Sequence, residues 1–129
     1  MRDVILITGQ RFDLDSIKNR IHEGAFDVIL EDDRLSIQDV VTRNLVQIER
    51  DHNLASYYDD QEGDVFKSVI ADPAFYLITF KDINLLKRVL GMALNRADIF
   101  LDNDFGLIHT GQQFVNTFAQ RPGWDWALD

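Results

Sequence analysis

The chain of 129 residues has no cysteine, only two prolines and only seven glycines. Lack of cysteine excludes disulfides, thiolate metal sites and a cysteine nucleophile, and it fits a reducing compartment. Scattered glycine and scarce proline leave no linker, low-complexity tract or repeat, so one domain is expected. A domain of this length buries roughly two thirds of its unfolded surface. No apolar run approaches the ~20 residues of a membrane-spanning helix, and the opening Met1-Arg2-Asp3-Val4 places no basic region ahead of a long apolar core. A soluble, cytoplasmic protein is therefore expected.

Positive charge is also scarce. Thirteen Lys and Arg face 22 Asp and Glu, a net charge of −9. The imbalance is uneven: residues 1–64 carry 15 acids against 7 bases, and residues 65–129 carry 7 against 6. An acidic surface repels nucleic acid and anionic lipid, so neither is an expected direct partner. It attracts basic proteins, and a one-signed field raises association rates by factors of roughly 10 to 1,000. Ordinary solubility charge is the competing explanation.

Catalytic signatures are equally sparse. His22, His52 and His109 do not stand three or four residues apart, so a zinc site would have to be assembled from distant segments. Ser16, Ser36, Ser56 and Ser68 lack a glycine-framed elbow, and no glycine-rich phosphate loop occurs. Asp102-Asn103-Asp104 with His109 offers oxygen and nitrogen ligands. It fails as an EF-hand: with Gly106 at the sixth loop position the first ligand would be Leu101, and no glutamate closes the loop. A polar hairpin turn explains the same residues. Glu62 and Asp64 ahead of Lys67 loosely resemble nuclease acids with a lysine, but they also describe an ordinary helix start with acids near the positive dipole end. No cofactor and no bound metal are expected.

What is present is acid with tyrosine. From Asp51 to Asp64, DHNLASYYDDQEGD holds five carboxylates, no Lys or Arg, and the pair Tyr57-Tyr58. Tyrosine gives a large amphipathic contact surface, and carboxylates beside it can pair with Lys or Arg of a partner. A strand with one tyrosine inward and one outward is the structural alternative. For Trp124 and Trp126, packing of the rings on the core is favoured over an exposed binding stripe.

The patterning along the chain predicts an α+β sandwich with a mainly antiparallel sheet and about four helices. Val4-Ile5-Leu6-Ile7 reads as a buried strand. Asp13 caps a helix with Phe12 and Ile17 as a hydrophobic staple; Leu14, Ile17 and Ile21 share a face, and Gly24 ends it. Between Phe26 and Arg50 two or three antiparallel strands are expected, turning at Thr42-Arg43-Asn44. A helix over 37–48 is the alternative, because Ile37, Val40, Val41, Leu45 and Ile48 also fit a helical face. Val65, Phe66, Val69 and Ile70 form a helical stripe that stops at Asp72-Pro73. Phe75 to Phe80, in AFYLITF, is the strongest strand. Asp82 caps a helix to about Asn95 that buries Ile83, Leu86, Val89, Leu90 and Ala93, with Gly91 placed for a close crossing. Asp98 to His109 reads as a hairpin, and Thr110 with Gln113 as a capping box for a last helix bearing Phe114, Val115 and Phe118.

The order of these features over about residues 57 to 118 carries a resemblance. An acidic segment is followed by a short helix, a proline, the aromatic strand AFYLITF, a leucine helix, the hairpin IFLDNDFG and a capped helix with phenylalanine. This order resembles small immunity proteins of bacterial toxin systems, including those of contact-dependent growth inhibition. The opening VILITGQRFDLDSIKNRIHEG resembles the first strand and helix of barstar-like ribonuclease inhibitors. That family has a Tyr-Tyr-Gly-x-Asn turn where this chain has Tyr57-Tyr58-Asp59-Asp60, so no binding residue is carried over from it.

The immunity resemblance implies a non-enzymatic cytoplasmic protein that binds and blocks a cognate toxin, frequently a basic nuclease domain. Expected contact residues are Tyr57, Tyr58, Asp59, Asp60, Glu62 and Asp64, with Asp32, Asp33, Asp102 and Asp104 as an outer set. An acidic secretion chaperone wrapping an effector segment is the second reading. A metal-dependent hydrolase on Glu62, Asp64, Asp102, Asp104 and His109 is the third. The toxin's identity and the oligomeric state stay open.

Overall fold

The computed structural model describes residues 2–21, 24–103 and 107–125, the Asp60 side chain excepted. His22, Asp104 and Trp126, named above, lie outside that set. The fold is α+β. Its sheet comprises β1 (Arg2–Gly9), β2 (Phe26–Glu31), β3 (Arg34–Asp39), β4 (Leu45–Arg50), β5 (Pro73–Phe80), β6 (Phe100–Asp102) and β7 (Ile108–Thr110). The helices are α1 (Leu14–Lys18), α2 (Asp60–Lys67), α3 (Ile83–Ala93) and α4 (Gly111–Gln120), with a 3-10 turn at Leu54–Tyr57. The spatial strand order is β2-β3-β4-β5-β1-β6-β7, every pairing antiparallel.

The wholly apolar run in β1 follows from its place inside this sheet. Val4 and Leu6 join the larger core with residues of α1, α3 and α4, whereas Ile5 and Ile7 point the other way into a core with Leu54, Phe66, Ile70, Phe75 and Phe100. Both faces are covered there, so alternation disappears. In β2, β3 and β4 it returns. Leu35, Ile37, Val46 and Ile48 are fully buried on the helix-covered face, while Ile29 on the opposite face is 55 % exposed. The second helical layer stops short of these three strands.

The strand reading of residues 26–50 holds, and the helical alternative is excluded by the loop between β3 and β4. A helix would bury Val40 and Val41, yet Val41 is 83 % exposed. The loop turns on Asp39, whose carboxylate accepts from Val41 N (2.8 Å), Thr42 N (3.0 Å) and Arg88 Nη1 (2.8 Å). The Thr42 and Val41 amides, ahead of Arg88, hold the Asp39 carboxyl below its ordinary 3.8, against the opposing effect of burial. Arg43 completes the turn in the left-handed region, at φ 64°.

Several expected details are corrected. α1 ends at Lys18 and not at Gly24; its Asp13 cap accepts from Ser16 N as expected, and Ile21 packs on the core from beyond the helix. α2 likewise ends at Lys67. Phe66 and Ile70 are buried, but Val65 and Val69 are 45 % and 56 % exposed, because the short helix seats only one edge of the stripe. α3 ends at Ala93 with Asp82 as its cap; Leu85 is buried while Ile83 is only partly so. Gly91 meets nothing within 4 Å of a would-be Cβ, so it serves no close crossing. The glycine that does is Gly111, at the start of α4. A Cβ there would collide with the Leu94 carbonyl and the Ile99 side chain. The capping box on α4 is formed as expected, with Gln113 N donating to Thr110 Oγ1 (3.1 Å) and Thr110 N to Gln113 Oε1 (2.8 Å). Trp124 stacks on Phe114 at 6.1 Å and 13°, as the packing reading expects.

Candidate functional site

The acidic segment folds as the 3-10 turn and α2, laid over the second core. Leu54, Phe66 and Ile70 point inward and anchor it to Ile5, Ile7, Phe75 and Phe100. Full burial of Phe66 contributes about 2 to 3 kcal/mol of that anchoring. Asp59 is the N-cap of α2, its Oδ1 accepting from Glu62 N at 2.7 Å. Glu62 and Asp64 project into solvent.

The two tyrosines divide, although on a 3-10 turn and not on a strand. Tyr57 is 70 % exposed. Tyr58 turns inward, stacking on Phe75 (5.6 Å, 22°) and meeting Phe66 edge-on (5.2 Å, 84°). Its Oη donates to Asp102 Oδ2 at 2.8 Å, across 44 residues of sequence. This bond ties the acidic segment to β6, whose Asp102 is itself buried at 7 % exposure.

A cleft of about 480 Å³ opens between α2 and β7, lined by Gln61, Glu62, Val65, Asp102, Leu107, Ile108 and His109. Glu62 and Asp102 are thus brought to one place with apolar walls. Asp64, exposed on α2, is not among the lining residues. His109 lies on the edge strand, its ring 5.8 Å from that of Phe114. Among the described residues no group of three His, Asp or Glu side chains is placed to hold a metal ion.

Asp32 and Asp33 form a separate locale. They make the two-residue turn between β2 and β3, with Asp32 at φ 50°. A cleft of about 170 Å³ brings them together with Asp13 and Asp15 at the start of α1, around Arg50 and Tyr76. The Asp33 carbonyl accepts from Arg50 N at 2.9 Å, and the His52 Nε2 lies 4.0 Å from Asp33 Oδ2. β3 and β6 are four strand steps apart, so roughly 19 Å of sheet separates the two acid groups. Sequence reading missed that Asp13 and Asp15 join Asp32 and Asp33. No local signal carries it, because strand order alone puts α1 beside that turn.

Among the described residues no helix is long and apolar enough to cross a membrane. Neither a protein-family model, nor a curated protein, nor a solved structure matches this chain.

Proposed function

We propose that the protein is a non-catalytic inhibitor that neutralises one cognate toxin domain of basic surface, as bacterial immunity proteins of the contact-dependent type do, in the cytoplasm. The observation that carries this reading is the acidic α2 surface. Glu62 and Asp102 wall one cleft with Val65, Leu107 and Ile108, and Tyr57 stands exposed just before the helix. A Lys or Arg side chain suits such a cleft, since its methylene stem packs on the apolar walls while its charge meets the carboxylates. Asp59 and Asp64 extend the same negative field and speed encounter with a basic partner. If the partner is a nuclease, the carboxylates take the place of substrate phosphates and cover its active site or another essential surface.

One feature supports a second reading, an acidic secretion chaperone. The face of β2, β3 and β4 without a helical cover carries exposed Ile29 on the edge strand β2, a place where an extended effector segment could lie.

Co-expression with the toxin domain of the neighbouring reading frame separates the two. The inhibitor reading expects rescue of growth from that toxin, no rescue from unrelated toxins, and a complex with the folded toxin domain. Failure to rescue together with capture of an unfolded segment would establish the chaperone reading instead.

A further inference from the structure

Four clefts of the described surface are lined by more Asp and Glu than Lys and Arg. A fifth reverses the balance. It lies between the β1–α1 turn, the α2–β5 loop and the α3–β6 loop, is open to solvent with a volume of about 600 Å³, and sets Arg11, Arg20 and Arg96 against Asp72 and Asp98. Three arginines lining one cleft of a chain with net charge −9 are not explained by solubility.

The internal pairing leaves cations over. Arg96 forks Asp98 with two hydrogen bonds, Nε and Nη2 each at 2.7 Å from a carboxylate oxygen. That bidentate contact matches the two residues to each other, and it is the first cause holding the Asp98 carboxyl below the usual carboxylate range, with Arg20 adding to it. Neither Arg11 nor Arg20 is ion-paired with a described residue. Arg11 and Arg20 thus hold no ion pair in the cleft, where the acids are Asp72 and the Arg96-paired Asp98.

The remaining wall is apolar. Phe12 and Ile70 form its buried part, and the exposed Val69 lines the same cleft. The guanidinium carbons of Arg96 and Arg20 lie 4.5 Å and 5.5 Å from the centre of the Phe12 ring, so the charged groups are held against an aromatic floor. The volume lies within the ~300 to 1,000 Å³ typical of small-molecule pockets.

We propose that this cleft binds a small organic oxyanion, a phosphate or carboxylate head joined to an apolar or aromatic body. The head sits between Arg11 and Arg20, where the planar fork of arginine matches two oxygens at once. The body lies against the exposed Val69, beside the guanidiniums that cover the Phe12 ring. This site is independent of the α2 surface and of any toxin.

The test is titration of the full chain at constant ionic strength, followed by amide NMR, with phenyl phosphate, benzoate, inorganic phosphate and benzyl alcohol. Saturable shifts at Arg11, Phe12, Arg20 and Val69 are expected with phenyl phosphate, benzoate or both, and which of them binds identifies the head group. Affinity for that probe should exceed that for inorganic phosphate and for benzyl alcohol by at least about tenfold, since each lacks one half of the ligand. Arg11→Gln with Arg20→Gln should weaken binding at least about tenfold, and Asp72→Asn should tighten it, because it removes the one unmatched acid. All three positions are exposed, so the variants keep the fold. Absence of saturable shifts, equal binding of inorganic phosphate, or unchanged affinity in the double variant would overturn the proposal.

Discussion

Tyr58→Phe separates the architecture of the acidic segment from its chemistry. The substitution keeps the ring on Phe75 and Phe66 and deletes only the Oη that donates to Asp102 at 2.8 Å. Hydrogen bonds to a charged group contribute roughly 1.5 to 3 kcal/mol, and a half-buried donor belongs toward the lower end, so a loss of about 1 to 2 kcal/mol is expected. For a chain of 129 residues this corresponds to a fall in melting temperature of roughly 3 to 5 °C per kcal/mol. Urea unfolding of the wild type, Tyr58→Phe, Asp102→Ala and the double variant closes a cycle that isolates the pair, since alanine leaves no acceptor for the Tyr58 hydroxyl. A coupling of about 1 to 2 kcal/mol is predicted. A coupling within about 0.3 kcal/mol of zero would show that the bond does not tie α2 to β6, and that the cleft between α2 and β7 is not held by Tyr58.

Two further perturbations probe the frame around the site. Gly111→Ala forces a Cβ onto the Leu94 carbonyl and Ile99, so calorimetry should show destabilisation of about 1 to 3 kcal/mol; neutrality would mean that α4 can shift freely. The Asp39 carboxyl titrates below its ordinary 3.8 in the folded protein, so its stabilising effect is present above that pH and is lost as pH falls through the lower folded value. Asp39→Asn should therefore be less stable than wild type near neutrality and show a shallower loss of stability below about pH 4, read from urea midpoints across the acid range.

The order of elements was legible because each carries its own local signal. Asp13, Asp82 and the Thr110–Gln113 box mark helix starts where they are found, and Val4 to Ile7 and Ala74 to Phe80 are strands covered on both faces. Helix ends were less legible. Gly24 and Asp72-Pro73 are valid stop signals, but α1 and α2 end five or more residues earlier, once Ile17 and Phe66 have reached the core. Residues 37–48 were ambiguous because both periods fit the apolar positions; the sheet decides, since Ile37, Val46 and Ile48 pair in register with neighbours on one face. The candidate site was legible as composition and not as geometry. Which carboxylates converge depends on strand order, so the grouping of Glu62 with Asp102, of Asp13 with Asp32, and of Arg11 with Arg96 appears only in the fold.

The central claim is that the α2 surface receives a basic protein partner. Its most direct measurement is the association kinetics of the neighbouring toxin domain with the wild type and with a variant carrying Asp59→Asn, Asp60→Asn, Glu62→Gln and Asp64→Asn, at low and high salt. Asparagine at position 59 keeps a side-chain oxygen for the Glu62 amide, so the helix cap survives while four charges are removed. The account predicts association slower by about tenfold or more at low salt, a difference that shrinks as salt screens the wild-type field, with Tyr57→Ala acting instead on dissociation. Equal association rates for the two proteins at low salt, with both folded by circular dichroism, would contradict it.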